Sequence, residues 1–314
     1  MSKYRQALPQ LADRIFLTDG GLETTLIFQD GIELPYFASF PLIETVEGRR
    51  MLEAYYESYI GIALAAKTGF MLDTATWRAN PDWAAKLGYG EAALDEVNRR
   101  SVEHMIAMRD RFETGESPMV VSGAIGPRGD GYVADHAMNA DEARAYHLPQ
   151  IESFHAAGAD MTTAFTINYV EEGIGIALAA RSVGLPVVIS FTLETDGKLP
   201  SGMALGEAIQ AVDDATMGYP VYYMINCAHP THFAPILETG EPWANRIRGI
   251  RGNASTRSHA ELDSSPDLDA GDPVDFGARY RSLRDRHSQF TVLGGCCGTD
   301  SRHVAQIRYA CLAA

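Results

Sequence analysis

Basic side chains are scarce in this 314-residue chain: 26 Lys and Arg stand against 41 Asp and Glu, a formal net charge of −15. Nucleic-acid binding depends on neutralising phosphates with cations, and an anionic membrane surface asks for the same, so both are excluded as partners. No apolar run approaches the roughly 20 residues that span a bilayer. Residues 1–16 alternate charged and apolar side chains and lack a signal-peptide core. No low-complexity linker divides the sequence. These absences predict a soluble, cytoplasmic chain that folds as one domain over residues 1–314. Cysteine is sparse too, at four residues. That is too few for a disulfide scaffold, and a cytoplasmic chain keeps them reduced.

What is present is a regular alternation. Short β-rich runs at 15–18, 70–76, 119–124, 159–166, 187–193, 221–226, 247–253 and 290–294 are followed by helical stretches at 46–67, 91–112, 141–157, 171–183, 205–217, 231–237, 273–287 and 301–311. Strands and helices in strict alternation imply parallel strands with helical crossovers. Eight repeats predict an α/β fold of the (β/α)8 TIM barrel type. A doubly wound open sheet needs a GxGxxG turn after the first strand, and Asp19-Gly20-Gly21-Leu22-Glu23 lacks that spacing. Residues 200–206 and 255–271 read as long loops after strands five and seven.

In such a barrel the active site lies at the C-terminal ends of the strands. The unusual residues fall there: Asp19-Gly20-Gly21 after strand one, Thr76-Trp77-Arg78 after strand two, Gly126-Pro127 after strand three, Asn226-Cys227 after strand six, Asn253 after strand seven, and Gly294-Gly295-Cys296-Cys297-Gly298 after strand eight. If strands six and eight end at one rim, Cys227, Cys296 and Cys297 converge. Three thiolates are a soft ligand set suited to one Zn²⁺, and three protein ligands leave a fourth position open, as catalytic sites do. His229 as a fourth ligand would close the site into a structural one. A redox-sensing cysteine pair without metal is a further alternative. Cys311, in an apolar helical tail, reads as a buried hydrophobe.

The segments Asp19-Gly20-Gly21-Leu22-Glu23-Thr24, Ile125-Gly126-Pro127, Asn226-Cys227 and Gly294-Gly295-Cys296-Cys297-Gly298-Thr299 resemble, in order and over nearly the whole chain, those of the homocysteine S-methyltransferases. The resemblance implies a (β/α)8 barrel with one zinc on Cys227, Cys296 and Cys297. It also implies methyl transfer to the thiol of homocysteine, giving methionine, and an Asp19-Gly20-Gly21 turn that helps hold the amino-acid end of the acceptor. Small molecules are then the partners.

The chemistry that follows is attack of a metal-bound, deprotonated thiol on the methyl group of a cationic donor. A small sulfonium of the S-methylmethionine or S-adenosylmethionine type fits. Betaine and a partner-borne methyl-corrinoid are alternatives. Cations without N–H groups are recognised by aromatic faces and carboxylates, which nominates Trp77, then Tyr36 and Tyr132. One departure stands out. The family's strand-four Glu, which binds the substrate ammonium, aligns with Phe165. Glu194 or Glu23 would then take that role, or the acceptor is not homocysteine. Arg246, Arg248, Arg251 and Arg257 either bind a substrate carboxylate or pair with surface acids.

Overall fold

A computed structural model describes residues 2–134 and 137–312. Eight parallel strands close into a barrel in sequence order. They are β1 (Phe16–Leu17), β2 (Gly69–Asp73), β3 (Met119–Ile125), β4 (Met161–Ile167), β5 (Val187–Thr192), β6 (Tyr222–Asn226), β7 (Ile247–Gly252) and β8 (Val292–Gly295). Closure is made where Phe16 and Leu17 of β1 register with Val292 and Leu293 of β8.

Period-two alternation along the strands sorts side chains into two cores. Phe16, Met71, Val120, Val188, Met224 and Val292 fill the barrel, whereas their successors Leu17, Leu72, Val121, Ile189, Ile225 and Leu293 pack beneath the helices. Bulky residues inside leave no pore, so any site must sit at an end of the barrel.

The expected helices are found with boundaries shifted by a residue or so: α2 (Val46–Ala66), α4 (Glu91–Phe112), α5 (Ala140–Ala157), α6 (Val170–Val183), α7 (Leu205–Thr216), α8 (Pro230–Leu237), α10 (Pro273–Arg286) and α11 (Ser301–Cys311). Strict one-to-one alternation is corrected by three further helices: α1 (Leu22–Phe28), α3 (Pro81–Lys86) and α9 (His259–Asp263). α3 and α9 are short and made by their caps rather than by a long apolar stripe, whereas α1 starts after Gly21 without a side-chain cap. Asn80 caps α3 with Pro81 in the first turn, and Ser258 with Glu261 forms a capping box for α9 inside the stretch expected to be a loop. All three lie in the connections that leave the C-terminal ends of β1, β2 and β7. No helix among the described residues is long and apolar enough to cross a membrane.

Candidate metal centre and substrate cavity

Cys227 follows the last residue of β6 with φ +53°, a left-handed conformation that turns the chain sharply. Its amide donates to the Arg251 carbonyl at 3.1 Å. Its own carbonyl accepts from Asn253 Nδ2 at 3.1 Å and His259 Nε2 at 2.6 Å. Cys296 follows β8, and its amide donates to the Gly252 carbonyl at 2.8 Å. Glycine is required just before it. A Cβ on Gly294 would lie 1.8 Å from Thr18 Oγ1, and one on Gly21 would lie 2.6 Å from the Cys296 carbonyl oxygen.

With the backbone so fixed, the sulfurs of Cys227, Cys296 and Cys297 all lie within 4.8 Å of one another. Cys227 is buried, the other two are half-buried, and all are free thiols. Hydrogen bonds from Cys227 and Cys297 hold the Cys296 thiol well below its usual range, and the buried Arg251 guanidinium adds to the effect. The same sulfur contacts push Cys227 and Cys297 up. Three sulfurs that must share protons in this way form a donor set that one soft divalent cation would satisfy, so the residues fit a zinc ion. His229 is not among them. Its Nδ1 lies 2.7 Å from Thr231 Oγ1, where it caps α8.

The thiols open into a cavity of about 740 Å³. Asp19, Gly20, Gly21, Trp77 and Asn226 all line it. Asn226 ties three strands together. Its Oδ1 accepts from Ser190 Oγ at 2.6 Å and the Thr166 amide at 2.9 Å, and its Nδ2 donates to Thr166 Oγ1 at 2.9 Å. Glu194 lies elsewhere. Its Oε1 is 3.0 Å from His259 Nδ1, beside a small recess next to Cys227, and it does not line the cavity. Phe165 lines the cavity from a bulged stretch of β4. Tyr132 puts its hydroxyl 3.5 Å from Cys297 Sγ and stacks on His259, with ring centroids 3.9 Å apart. Tyr36 sits exposed at the mouth.

The arginines separate. Arg246 forks onto Asp213, Arg257 faces Asp269 at 3.5 Å, and Arg248 donates to the Leu11 carbonyl at 2.8 Å. Arg251 departs from the expectation of surface pairing. It is buried at the cavity floor, 2.5 Å from Asp19 Oδ1 and 2.9 Å from Asp73 Oδ2, and it also donates to the carbonyls of Gly295 and Gly20. Tyr55 completes Asp19 with a hydrogen bond of 3.0 Å to Oδ2. Burial pushes the Asp73 carboxyl up to about 6 against the pull of Arg251. Asp73 and His259 carried no signal in the sequence, and Arg251 could not be told from its neighbours, because their partners are remote along the chain.

The family model described as homocysteine S-methyltransferase matches residues 16–311. Homocysteine S-methyltransferase YbgG of Bacillus subtilis (strain 168) is 23% identical over 251 residues, covering 74% of this chain and 76% of that protein. A homocysteine S-methyltransferase of Escherichia coli (strain K12) is 29% identical over 167 residues, 49% of this chain and 52% of that protein. In fold, the chain is similar to the crystal structure of the homocysteine methyltransferase MmuM from Escherichia coli in its metallated form. The TM-score is 0.74 at 21% identity, over 96% of this chain and 98% of that one.

Proposed function

The chain belongs to the homocysteine S-methyltransferase family, and on that premise we propose that it moves a methyl group from a small sulfonium donor, of the S-methylmethionine or S-adenosylmethionine type, to the thiol of homocysteine. Cys227, Cys296 and Cys297 would hold one Zn²⁺ per chain, and residues 1–314 would form one homocysteine-binding-like barrel domain acting on small molecules in the cytoplasm. The observation that carries the reading is the meeting of three sulfurs, within 4.8 Å of one another, at the wall of a cavity large enough for two substrates. The metallated form of MmuM supports a metal at such a site.

When bound, zinc supplies a deprotonated acceptor thiol at neutral pH, where a free thiol with a pKa near 8.5 is mostly protonated. The three cysteine thiolates exceed the charge of the ion and keep the acceptor sulfur electron-rich. His259 and Asn253, through the Cys227 carbonyl, hold that ligand in place. A new S–CH3 bond forms on the acceptor as the donor's C–S⁺ bond breaks, and the bonding pair stays on the departing thioether. The reacting atoms must be in line, which the cavity walls impose by holding both molecules. The Asp19-Gly20-Gly21 turn packs against the Cys296 backbone and bounds the acceptor side. Asp130, Asp263, Asp267 and Glu33, exposed around the mouth, favour the approach of a cation. This charge is the observation that favours a cationic donor over a neutral one.

Metal analysis of the wild type and of Cys296→Ala, with assays of methionine formation over a donor panel, tests the reading. We expect one equivalent of zinc, lost on substitution, and turnover with a sulfonium. Normal activity in Cys227→Ala or Cys297→Ala would reject the ligand assignment.

A further inference from the structure

Below the acidic mouth, the charged side chains that line the cavity fall into two groups. Asp19 and Asp73 are both paired with Arg251, so their charges are compensated within the protein, although Asp19 Oδ1 and Asp73 Oδ1 make no hydrogen bond. Glu23 and Arg78 are different. Glu23, in the first turn of α1, accepts one hydrogen bond, from Ser39 Oγ to Oε1 at 2.7 Å, and has no cationic partner within 4.0 Å among the described residues. Arg78 is 6% exposed and makes no ion pair among the described residues. Its guanidinium lies 4.1 Å from the Trp77 ring and 3.9 Å from the Trp83 ring. Its Nη1 donates to the Gly129 carbonyl at 2.9 Å, and its Nε is buried without a partner. The two indoles hold the guanidinium plane, and the carbonyl uses only one of its five N–H groups.

An unpaired charge withdrawn from water is costly, and here a buried cation and a half-buried carboxylate line the same cavity as the thiols. Glu23 lies within electrostatic reach of both Cys296 and Arg78. We propose that Glu23 and Arg78 form a receptor for the zwitterionic end of an α-amino acid, Glu23 taking the ammonium and Arg78 the carboxylate, with the amino acid's sulfur toward the cysteine cluster. The inference rests on the methyl-transfer reading and names what holds the substrate in it. It also accounts for Phe165, an apolar residue in the cavity wall: the ammonium has its carboxylate on α1 instead. Burial raises the Glu23 carboxyl and lowers Arg78 to about 10, so each charge would gain from the opposite charge of the ligand. The acceptor and an amino-acid sulfonium donor share this end group, and the test separates them.

The experiment compares L-homocysteine with its desamino analogue 4-sulfanylbutanoate and its decarboxy analogue 3-sulfanylpropan-1-amine on the zinc-loaded wild type, Glu23→Gln and Arg78→Gln. KM, kcat and calorimetric binding are all read. Wild type should favour homocysteine over each analogue by roughly 10–100-fold. Glu23→Gln should raise the KM for homocysteine by that factor and leave binding of the desamino analogue within about twofold. Arg78→Gln should do the same with respect to the decarboxy analogue. A rise in the KM of S-methylmethionine with that of homocysteine unchanged assigns the receptor to the donor. Equal binding of all three thiols by the wild type, with the KM of S-methylmethionine unchanged in both variants, overturns the receptor, as do variants with unchanged KM for both substrates. Absence of methionine formation in the wild type with every donor removes the methyl-transfer reading instead, and the calorimetric comparison still decides the receptor.

Discussion

At the N-terminal end of the barrel, Asp160 accepts four hydrogen bonds: from the amides of Lys3, Tyr4 and Val121 at 2.7–3.0 Å and from Arg109 Nη1 at 2.8 Å. At the C-terminal end, Arg78 Nε has no partner among the described residues, and Glu23 accepts one hydrogen bond among them and pairs with no cation within 4.0 Å there. Between these extremes lies the Arg251 cluster, which is also buried, though slightly less than the Asp160 pair, and forms the floor of the cavity. Arg109 Nε makes no hydrogen bond, but the Asp160 carboxylate is saturated, and a buried carboxylate whose bonds are all made within the protein leaves nothing for a ligand to complete. An unsaturated one is retained at a cost in stability, which points to a ligand that completes it. The two ends therefore carry the same residue types, with the carboxylate and arginine paired to each other at one end and left apart at the other.

The largest effect should come from the open end. Cys296→Ala should remove the metal and lower methionine formation by roughly a thousandfold or more, read by metal analysis and by turnover. Its unfolding midpoint measured in excess chelator should stay close to that of wild-type protein treated likewise. Next, Asp160→Ala should destabilise the fold by about 3–5 kcal/mol in denaturant unfolding, because it strands Arg109, while zinc content is unchanged. Arg251→Met should cost a comparable amount, about 3–5 kcal/mol. Unlike Asp160→Ala, it should also weaken metal binding, because Arg251 holds the Gly295 carbonyl and lowers the Cys296 thiol. If the two variants proved equivalent in metal affinity, the distinction drawn between the floor and the far end would fail.

The smallest effect concerns Glu113 at the closed end. Burial raises its carboxyl, but hydrogen bonds from Lys3, Tyr4 and the Met119 amide outweigh that and leave it lowered. A carboxyl lowered in the folded state adds stability that is present above its unfolded value and is lost as pH falls through the folded one. Glu113→Gln should therefore cost about 1 kcal/mol or less at pH 7, after discounting for its partial exposure. The wild type and the variant should converge in stability below about pH 4, with turnover unaffected throughout. A gap that widened on acidification would contradict the sign.

Much of this was legible in the chain. The closed barrel followed from eight strand–helix repeats, and the placing of Cys227 and Cys296-Cys297 at one rim followed from their positions after strands six and eight. Glu194 was less legible: a carboxylate just after β5 is well placed in sequence, yet its partner is His259, from a helix hidden in a polar stretch. Trp77 was expected to offer a face to a cation, and the structure puts a guanidinium of its own neighbour, Arg78, against that indole. Arg251 was one of four similar arginines, and only packing set it against Asp73, 178 residues away.

The sequence by itself determined the scaffold and the sulfur chemistry, because the alternation of strands and helices acts over a few residues and the cysteines fall at strand ends, so both are written where they act. Tertiary structure decided which charges are paired and which are left for a ligand. Ion pairing is settled among all the groups that folding brings together, and no local pattern records how that competition ends.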